Sequence, residues 1–359
     1  MKQKPVNLLE YESLAKKHLS PIALDYYASG AMDEKTLKNN RSAFDRYKIL
    51  PKMLRGVAKR DLSTTILGQP LSLPILIAPM AFQCLATPSG ELATARAAVK
   101  LDIAMVLSTL STKSLEEVAS VGKKLWFQLY VHRDRELTRI LVERAEKAGY
   151  QALCLTVDAP ILGIRDCDRR NQFTLPPHLQ IANLASIKDL KIPQTEGESG
   201  LYAYFARQLD PGLTWQDLEW LASITKLPIA VKGILRADDA IKALEYGAKA
   251  IIVSNHGGRQ LDGAIATIDA LGDITAAVGD KIDVLIDGGI RRGNDILKAL
   301  AIGAKAILIG RPLLWGLAVD GENGAKHVLE MLANELDNAM ALSGCVKLQD
   351  INTDLVKQI

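Results

Sequence analysis

From residue 74 onward the chain repeats one unit: a short apolar run rich in β-branched residues, then a longer stretch with helical periodicity. The runs fall at 74–78, 103–107, 125–129, 152–157, 228–232, 250–254, 284–287 and 306–309, eight in all. Runs that are apolar almost throughout, without in-and-out alternation, mark strands buried on both faces, as parallel strands flanked by helices are. The phrase Gly247-Ala-Lys-Ala-Ile251 returns as Gly303-Ala-Lys-Ala-Ile307, 56 residues later, which is about two such units. Each glycine stands where a helix must stop before the next strand, as does Gly149 before the fourth run. Eight strand–helix units have one natural closure: a (β/α)8 TIM barrel of the α/β class.

A bare barrel needs about 250 residues, and the chain has 359. The excess divides into parts of one domain, 1–359. The barrel spans about 74–320, preceded by an N-terminal extension, 1–73, with helical patterns at 8–18 and 23–44. A long polar insertion, about 176–210, follows the fourth strand as a lid on the barrel mouth, and a C-terminal helix covers about 322–343. With 48% hydrophobic and 24% charged residues the chain carries a full core, which excludes intrinsic disorder.

A net charge of +3 without a long basic tract gives no electrostatic case for nucleic acid or a membrane surface as partner. Cys84, Cys154, Cys167 and Cys345 are too few and too scattered for a disulfide framework, and the absence of a CxxC pair argues against zinc; no metal site is expected. No apolar run reaches the roughly 18 residues of a membrane span. The expected location is the cytoplasm.

Catalytic groups of such barrels come from the C-terminal ends of strands and the loops after them. Those ends carry Met80, Ser108, Gln128 with Tyr130, Thr156 with Asp158, Lys232, Ser254 with His256 and Arg259, Asp287, and Gly310 with Arg311. The densest piece is Ser254-Asn-His-Gly-Gly-Arg-Gln260, where a strand runs into a histidine turn whose paired glycines let backbone approach a ligand. His256 suits a general base near neutral pH and Arg259 a carboxylate clamp. His18, His132, His178 and His327 read as ordinary surface or core groups. Asp287-Gly-Gly-Ile-Arg-Arg-Gly293 and Gly310-Arg311-Pro312 fit the phosphate site of a barrel, where glycine amides, helix N-termini and an arginine hold a dianion. Lys232 suits a Schiff-base lysine, a buried ion-pair partner or a cation facing an electron-rich cofactor, and Asp158 is equally open as an ion-pair filler.

These residues resemble one family, the FMN-dependent (S)-2-hydroxy acid oxidases, which include glycolate and lactate oxidases. The heptapeptide Ser254–Gln260 is similar to that family's active-site signature. Further matches are Asp25-Tyr-Tyr-Ala-Ser-Gly-Ala31, Ile77-Ala-Pro-Met80, Gln128-Leu-Tyr-Val131, Leu155-Thr-Val-Asp158, Val231-Lys-Gly233, Asp287–Gly293 and Ile309-Gly-Arg-Pro312. The resemblance implies FMN as cofactor, with a 2-hydroxy acid and oxygen as reactants and a homotetramer or homo-octamer as the assembly. It implies that His256 accepts a proton, that Asp158 stabilises the imidazolium, and that Arg165 and Arg259 grip the substrate carboxylate. Tyr26 and Tyr130 would hydrogen-bond substrate, and Lys232 would lie near the flavin N1–C2 edge. Ala78, Pro79, Met80 and Ala81, with Ser108, Gln128, Thr156 and Ser254, would hold the ring and ribityl chain. Asp287, Gly289, Arg291, Gly310 and Arg311 would hold ribityl and phosphate.

Three positions depart from the plant glycolate oxidase pattern: Leu110 for a Trp, Met80 for a Thr and Phe205 for a Val. A leucine there opens room beside the substrate α-carbon for a methyl group, whose burial is worth about 0.8 kcal/mol. The three together are similar to cyanobacterial-type bacterial L-lactate oxidases, so the expected reaction is L-lactate and oxygen to pyruvate and hydrogen peroxide. The alternatives are glycolate as substrate, or a dehydrogenase of the same family with another acceptor.

Overall fold

The computed structural model describes residues 4–188, 193 and 199–359. Its twelve strands are β1 (Tyr47–Ile49), β2 (Thr64–Ile66), β3 (Gln69–Leu71), β4 (Ile75–Ile77), β5 (Met105–Leu107), β6 (Leu125–Leu129), β7 (Ala152–Thr156), β8 (Ile229–Ile234), β9 (Ala250–Val253), β10 (Asp283–Ile286), β11 (Ala306–Ile309) and β12 (Val356–Gln358). Strands β4 to β11 form a closed parallel barrel in chain order, and β11 returns to β4 with Ile307 opposite Ile75 and Ile309 opposite Ile77. All eight apolar runs are barrel strands.

Within each strand successive side chains face opposite ways. Leu76, Val106, Trp126, Cys154, Ala230, Ile252, Leu285 and Leu308 fill the barrel interior. Ile75, Leu107, Phe127, Leu153, Val231, Ile251, Ile286 and Ile307 face the surrounding helices instead. The interior is a packed core with the expected layers. The glycines expected to stop helices do so: Gly149, Gly247 and Gly303 follow helices Arg135–Lys147, Ala237–Glu245 and Gly293–Ala301 with φ of +84°, +97° and +113°. Strand β8 runs two residues past the expected end. Its register shifts between Lys232 and Ile234, and Gly233 is required there because a Cβ would stand 2.6 Å from that of Asp158.

The N-terminal extension differs from the sequence reading. Leu8–His18 is helical as expected, but the pattern over 23–44 is two helices, Pro21–Ala28 and Lys35–Ser42. The chain between them crosses the barrel mouth, where Ala31 N–H donates to Gly258 O (2.8 Å) and Met32 N–H to Ile164 O (2.9 Å). Those long-range bonds replace a helical turn. The extension also holds the hairpin β2–β3, which plugs the other end of the barrel. Ile66 and Leu71 join the interior cluster, and Trp126 Nε1 donates to Gln69 Oε1 (3.2 Å). Strands β1 and β12 pair antiparallel and tie the extension to the C-terminal segment.

The insertion expected at 176–210 is not a polar loop where it is described. Helix Gly200–Gln208 buries Leu201, Tyr204 and Phe205, and helix Ala182–Lys188 buries Leu184. Residues 189–192 and 194–198 of that expected lid lie outside the described residues. The C-terminal helix runs Arg311–Ser343, broken at Asp320 and Gly321, so its second part covers the expected span.

Ile66 is fully buried in the plug, far from the strand ends that carry ionisable groups. Replacing it by alanine leaves a cavity and is expected to cost about 2–4 kcal/mol. Urea unfolding measures this, and turnover per folded molecule is expected to stay at the wild-type value.

Candidate active site

The alternation that fills the interior continues one step beyond the apolar layer. The next inward positions are Ser108, Gln128, Thr156, Lys232, Ser254 and Asp287, a polar ring from six strands. Above it opens a cavity of about 1070 Å³, its mouth included. From the catalytic and substrate groups expected from sequence, His256, Tyr130, Lys232, Tyr26, Arg165, Arg259, Leu110, Met80 and Phe205 line it. So do Ala78, Pro79, Ala81, Ser108, Gln128, Thr156, Asp287, Gly289, Arg291, Gly310 and Arg311.

Two expected residues stand behind the wall. Asp158 backs His256, with Oδ1 2.7 Å from His256 Nδ1. Ser254 was expected against the cofactor; its hydroxyl instead accepts from Lys232 Nζ (2.9 Å) and His256 N–H (3.1 Å), and its side chain has no exposed surface.

His256 has φ +57°, an uncommon value for a residue with a side chain, and the turn holds it there. Asn255 Oδ1 accepts from Gly258 N–H (3.1 Å) inside the turn. Burial pushes the imidazole below its ordinary pKa against the pull of Asp158, and Lys232 and Arg165 add to the downward push. The imidazole is therefore neutral at pH 7, with Nδ1–H donating to Asp158. Burial alone would raise the Asp158 carboxyl, but His256 and Lys232 hold it below the usual carboxylate range. Burial likewise opposes charge on Lys232, and the carboxylates of Asp287 (3.3 Å) and Asp158 (4.0 Å) outweigh it, raising its pKa.

Across the cavity Arg165 and Arg259 stand together. Burial, aided by Arg259, pushes Arg165 down to about 10, which leaves it charged at neutral pH. Arg259 donates to the carbonyls of Tyr26 (2.7 Å) and Ser29 (2.9 Å) and lies 5.0 Å over the Tyr26 ring. Burial raises the pKa of Tyr26 and Tyr130, so both phenols keep their protons. Beside them Met80, Leu110 and Phe205 form an apolar recess, with Phe205 edge-on to Tyr130 at 5.4 Å between ring centroids.

Beside Arg259, and sharing Ser29 O with it, Arg311 donates to Tyr27 O (2.8 Å), Gly257 O (2.9 Å) and Ser29 O (3.0 Å), and Arg291 donates to Ile290 O (2.9 Å). Neither has a carboxylate at ion-pair distance among the described residues, and burial with neighbouring arginines lowers the pKa of Arg311. A buried cation without a counter-charge is costly unless an anion joins it. Gln128 Nε2, Thr156 Oγ1 and Asp287 Oδ1 are also buried without hydrogen-bond partners, and all three residues line the cavity. Among the described residues no three His, Cys, Asp or Glu side chains gather as a metal site.

In each of the two glycine pairs, Gly257-Gly258 and Gly288-Gly289, the second glycine packs against the N-terminal extension. A Cβ at Gly258 would lie 2.6 Å from Leu37 N, and one at Gly289 would lie 1.9 Å from Asn40 O. Close packing of helix Lys35–Ser42 requires glycine at both positions. That helix carries a residue the sequence reading missed. Asn40 and Asn255 exchange amide hydrogen bonds (2.8 and 2.7 Å), and Asn40 Oδ1 also accepts from Thr267 N–H (3.4 Å). Thr267 in turn donates to Asp287 O (2.6 Å). Nothing local marks Asn40, because its partners lie more than 200 positions away.

With this geometry in hand, comparison with known proteins is direct. The family described as FMN-dependent dehydrogenase matches residues 15–358. L-lactate oxidase of a Nostoc species is 65% identical over 357 residues, covering 98% of each chain. 2-Hydroxyacid oxidase 1 of Homo sapiens is 50% identical, covering 97% of this chain and 95% of its own. A crystal structure of mandelate oxidase with (S)-4-hydroxymandelic acid superposes with a TM-score of 0.94 at 43% identity, covering 98% of both chains.

Asn40→Ala strands the buried Asn255 amide, at an expected cost of about 1–3 kcal/mol. Urea unfolding against wild type checks it; a loss under about 0.5 kcal/mol, the scale of an ordinary surface substitution, would show the pair to be dispensable.

Proposed function

The chain belongs to the FMN-dependent dehydrogenase family, and from that premise we propose that it oxidises L-lactate with oxygen, giving pyruvate and hydrogen peroxide. The observation that carries this reading is an Asp158-backed His256 that lines one cavity with Arg165, Arg259 and the apolar Met80, Leu110 and Phe205. The residues fit FMN. Unpartnered Gln128 Nε2, Thr156 Oγ1 and Asp287 Oδ1 suit a polar ring edge and polyol, and Arg291 and Arg311 without carboxylates suit a phosphate. Ala78–Ala81, Ser108, Gly289 and Gly310 would complete that hold. The chemistry that bound FMN supplies is acceptance of two electrons from the substrate and their transfer to oxygen.

The protein's own groups do the rest. Arg165 and Arg259 bind the carboxylate, and Tyr26 and Tyr130, still protonated, donate to carboxylate and hydroxyl. His256 takes a proton as the substrate is oxidised, and the imidazolium formed pairs with Asp158 at 2.7 Å. Lys232, kept charged by Asp287 and Asp158, would neutralise negative charge gathering on the reduced cofactor. No helix among the described residues is long and apolar enough to cross a membrane. The four free cysteines support a reducing compartment, and we place the protein in the cytoplasm. Assembly as a homotetramer or homo-octamer is proposed on the family resemblance.

The base works only when neutral, so kcat/KM is expected to fall as pH drops through the His256 pKa, which burial holds below the ordinary histidine value. His256→Gln should keep FMN bound and slow anaerobic flavin reduction by about 10²–10⁴-fold; near-normal reduction would remove His256 from the role.

The substrate is tested by kcat/KM for L-lactate against glycolate under air, with peroxide measured. L-lactate should win several-fold, the worth of one buried methyl. A tenfold preference for glycolate overturns the choice. Leu110→Trp combined with Met80→Thr and Phe205→Val should move the preference toward glycolate.

A further inference from the structure

Gln260 ends the heptapeptide that carries His256 and Arg259, and the reading above gives it no task. Its side chain does not line the cavity. Yet its amide is fully used, and every bond goes to one stretch of chain, 158–165. Nε2 donates to Asp158 O (3.0 Å) and Ile161 O (2.9 Å), while Oε1 accepts from Gly163 N–H (3.1 Å) and Arg165 Nη2 (3.5 Å). The backbones are equally close. A Cβ at Gly163 would stand 2.5 Å from Arg259 O and 2.6 Å from Gln260 Cα, and Arg165 Nε donates to Arg259 O (3.3 Å).

The two ends of that stretch are the acceptor-side carboxylate, Asp158, and the carboxylate clamp, Arg165. Apart from this amide and Arg259 O, Arg165 has one side-chain partner among the described residues: Asp168 at 3.4 Å. At 3.4 Å it is a long contact, as is the Gln260 bond to Arg165 Nη2 at 3.5 Å. The place of Arg165 therefore follows the backbone that carries it, and the shorter bonds of Gln260 to Asp158 O, Ile161 O and Gly163 N–H hold that backbone. Asp158 stands on β7's exit and His256 on β9's, so the span from clamp to base is set by how the β7 loop seats on the β9 turn. Gln260 contributes four of the hydrogen bonds that seat it.

We propose that Gln260 is a positioning residue, fixing Arg165 relative to the His256–Asp158 pair so that a bound 2-hydroxy acid presents its α-carbon to the base in one geometry. The proposal rests on the roles given above to Arg165 and Asp158. An amide is the suitable group. Two donors meet two carbonyls while one oxygen meets an N–H and a guanidinium, a pattern that neither a carboxylate nor an ammonium can reproduce. A carboxylate would face two carbonyl oxygens and draw Arg165 onto itself by full charge.

The test uses the FMN-loaded enzyme and its Q260L and Q260E variants. Pyruvate affinity is read from the change in flavin absorbance, a measure independent of turnover. Anaerobic reduction by L-lactate gives the substrate Kd and the limiting rate separately. In Q260L the pyruvate Kd is expected to rise about tenfold, the equivalent of about 1.4 kcal/mol, and the limiting reduction rate to fall with it, while FMN affinity stays within twofold.

In a background of Arg165→Met the same change should alter pyruvate Kd less than twofold, since the group that Gln260 positions is gone. An equal loss in both backgrounds marks a general loosening and overturns the proposal. Q260E keeps the side-chain length and the bond to Gly163, is expected to weaken pyruvate in the same direction, and decides the question if Q260L fails to fold. Unchanged pyruvate affinity in both variants beside a wild type that binds pyruvate overturns this proposal alone. A wild type blind to pyruvate and L-lactate overturns it together with the reading on which it rests.

Discussion

Closure of the barrel combined with the two-residue period of a strand is the constraint from which the site follows. A strand that sends Trp126, Cys154, Ile252 or Leu285 inward must send the side chain two positions later inward as well. Those later positions are Gln128, Thr156, Ser254 and Asp287, and they lie at the end where solvent and ligand enter. The polar ring is thus an extension of the hydrophobic layer beneath it, and the same packing that stabilises the core fixes the heights of the functional groups. Because all eight strands run the same way, residues from Tyr26 to Arg311 share one mouth.

Charge in that mouth is divided by position. Near the ring Asp158 and Asp287 share Lys232, and His256 completes a compact set in which each carboxylate has a cation or donor nearby. Toward the rim Arg165, Arg259, Arg291 and Arg311 stand mainly against carbonyl oxygens, and burial, aided by their mutual repulsion, depresses the pKa of Arg165 and Arg311. Such an arrangement is unfavourable until anions arrive, and binding energy from a carboxylate and a phosphate offsets it. A net charge near zero for the chain as a whole is compatible with this, because the attraction is local.

The barrel was legible because eight apolar runs and their helix-ending glycines are local signals, and much of the cavity lining was legible because strand ends are local too. What stayed hidden depends on contacts between distant segments. The break between Pro21–Ala28 and Lys35–Ser42 answers hydrogen bonds to Gly258 and Ile164, which no window around residue 31 contains. The hairpin Thr64–Leu71 has short strands and makes sense only as a plug for the barrel floor. Asn40 carries no motif, and Ser254, which the resemblance implied against the cofactor, has its hydroxyl taken up by Lys232 and the His256 N–H. Gln260 was in plain view within the heptapeptide, but its meaning lies in the β7 loop that folds over it.

The residues proposed to set substrate size belong to another stratum. Met80, Leu110 and Phe205 lie past the strand ends, on the loops after β4 and β5 and on helix Gly200–Gln208. The first two loops are held to each other by Glu91, fully buried, whose carboxylate accepts from Gln83 N–H (3.1 Å), Thr112 N–H (2.9 Å) and Thr112 Oγ1 (2.8 Å). Helix Ala182–Lys188 adds a second tie, because Asn183 Nδ2 donates to Thr109 O (3.1 Å) and Ser111 Oγ (2.8 Å). The recess is therefore a braced wall whose side chains can change volume while its backbone stays in place. None of these braces touches His256, Asp158 or Lys232. Substrate size can then vary at the wall without disturbing the charge balance on which proton removal depends. One barrel can serve hydroxy acids of different bulk with the same ring beneath.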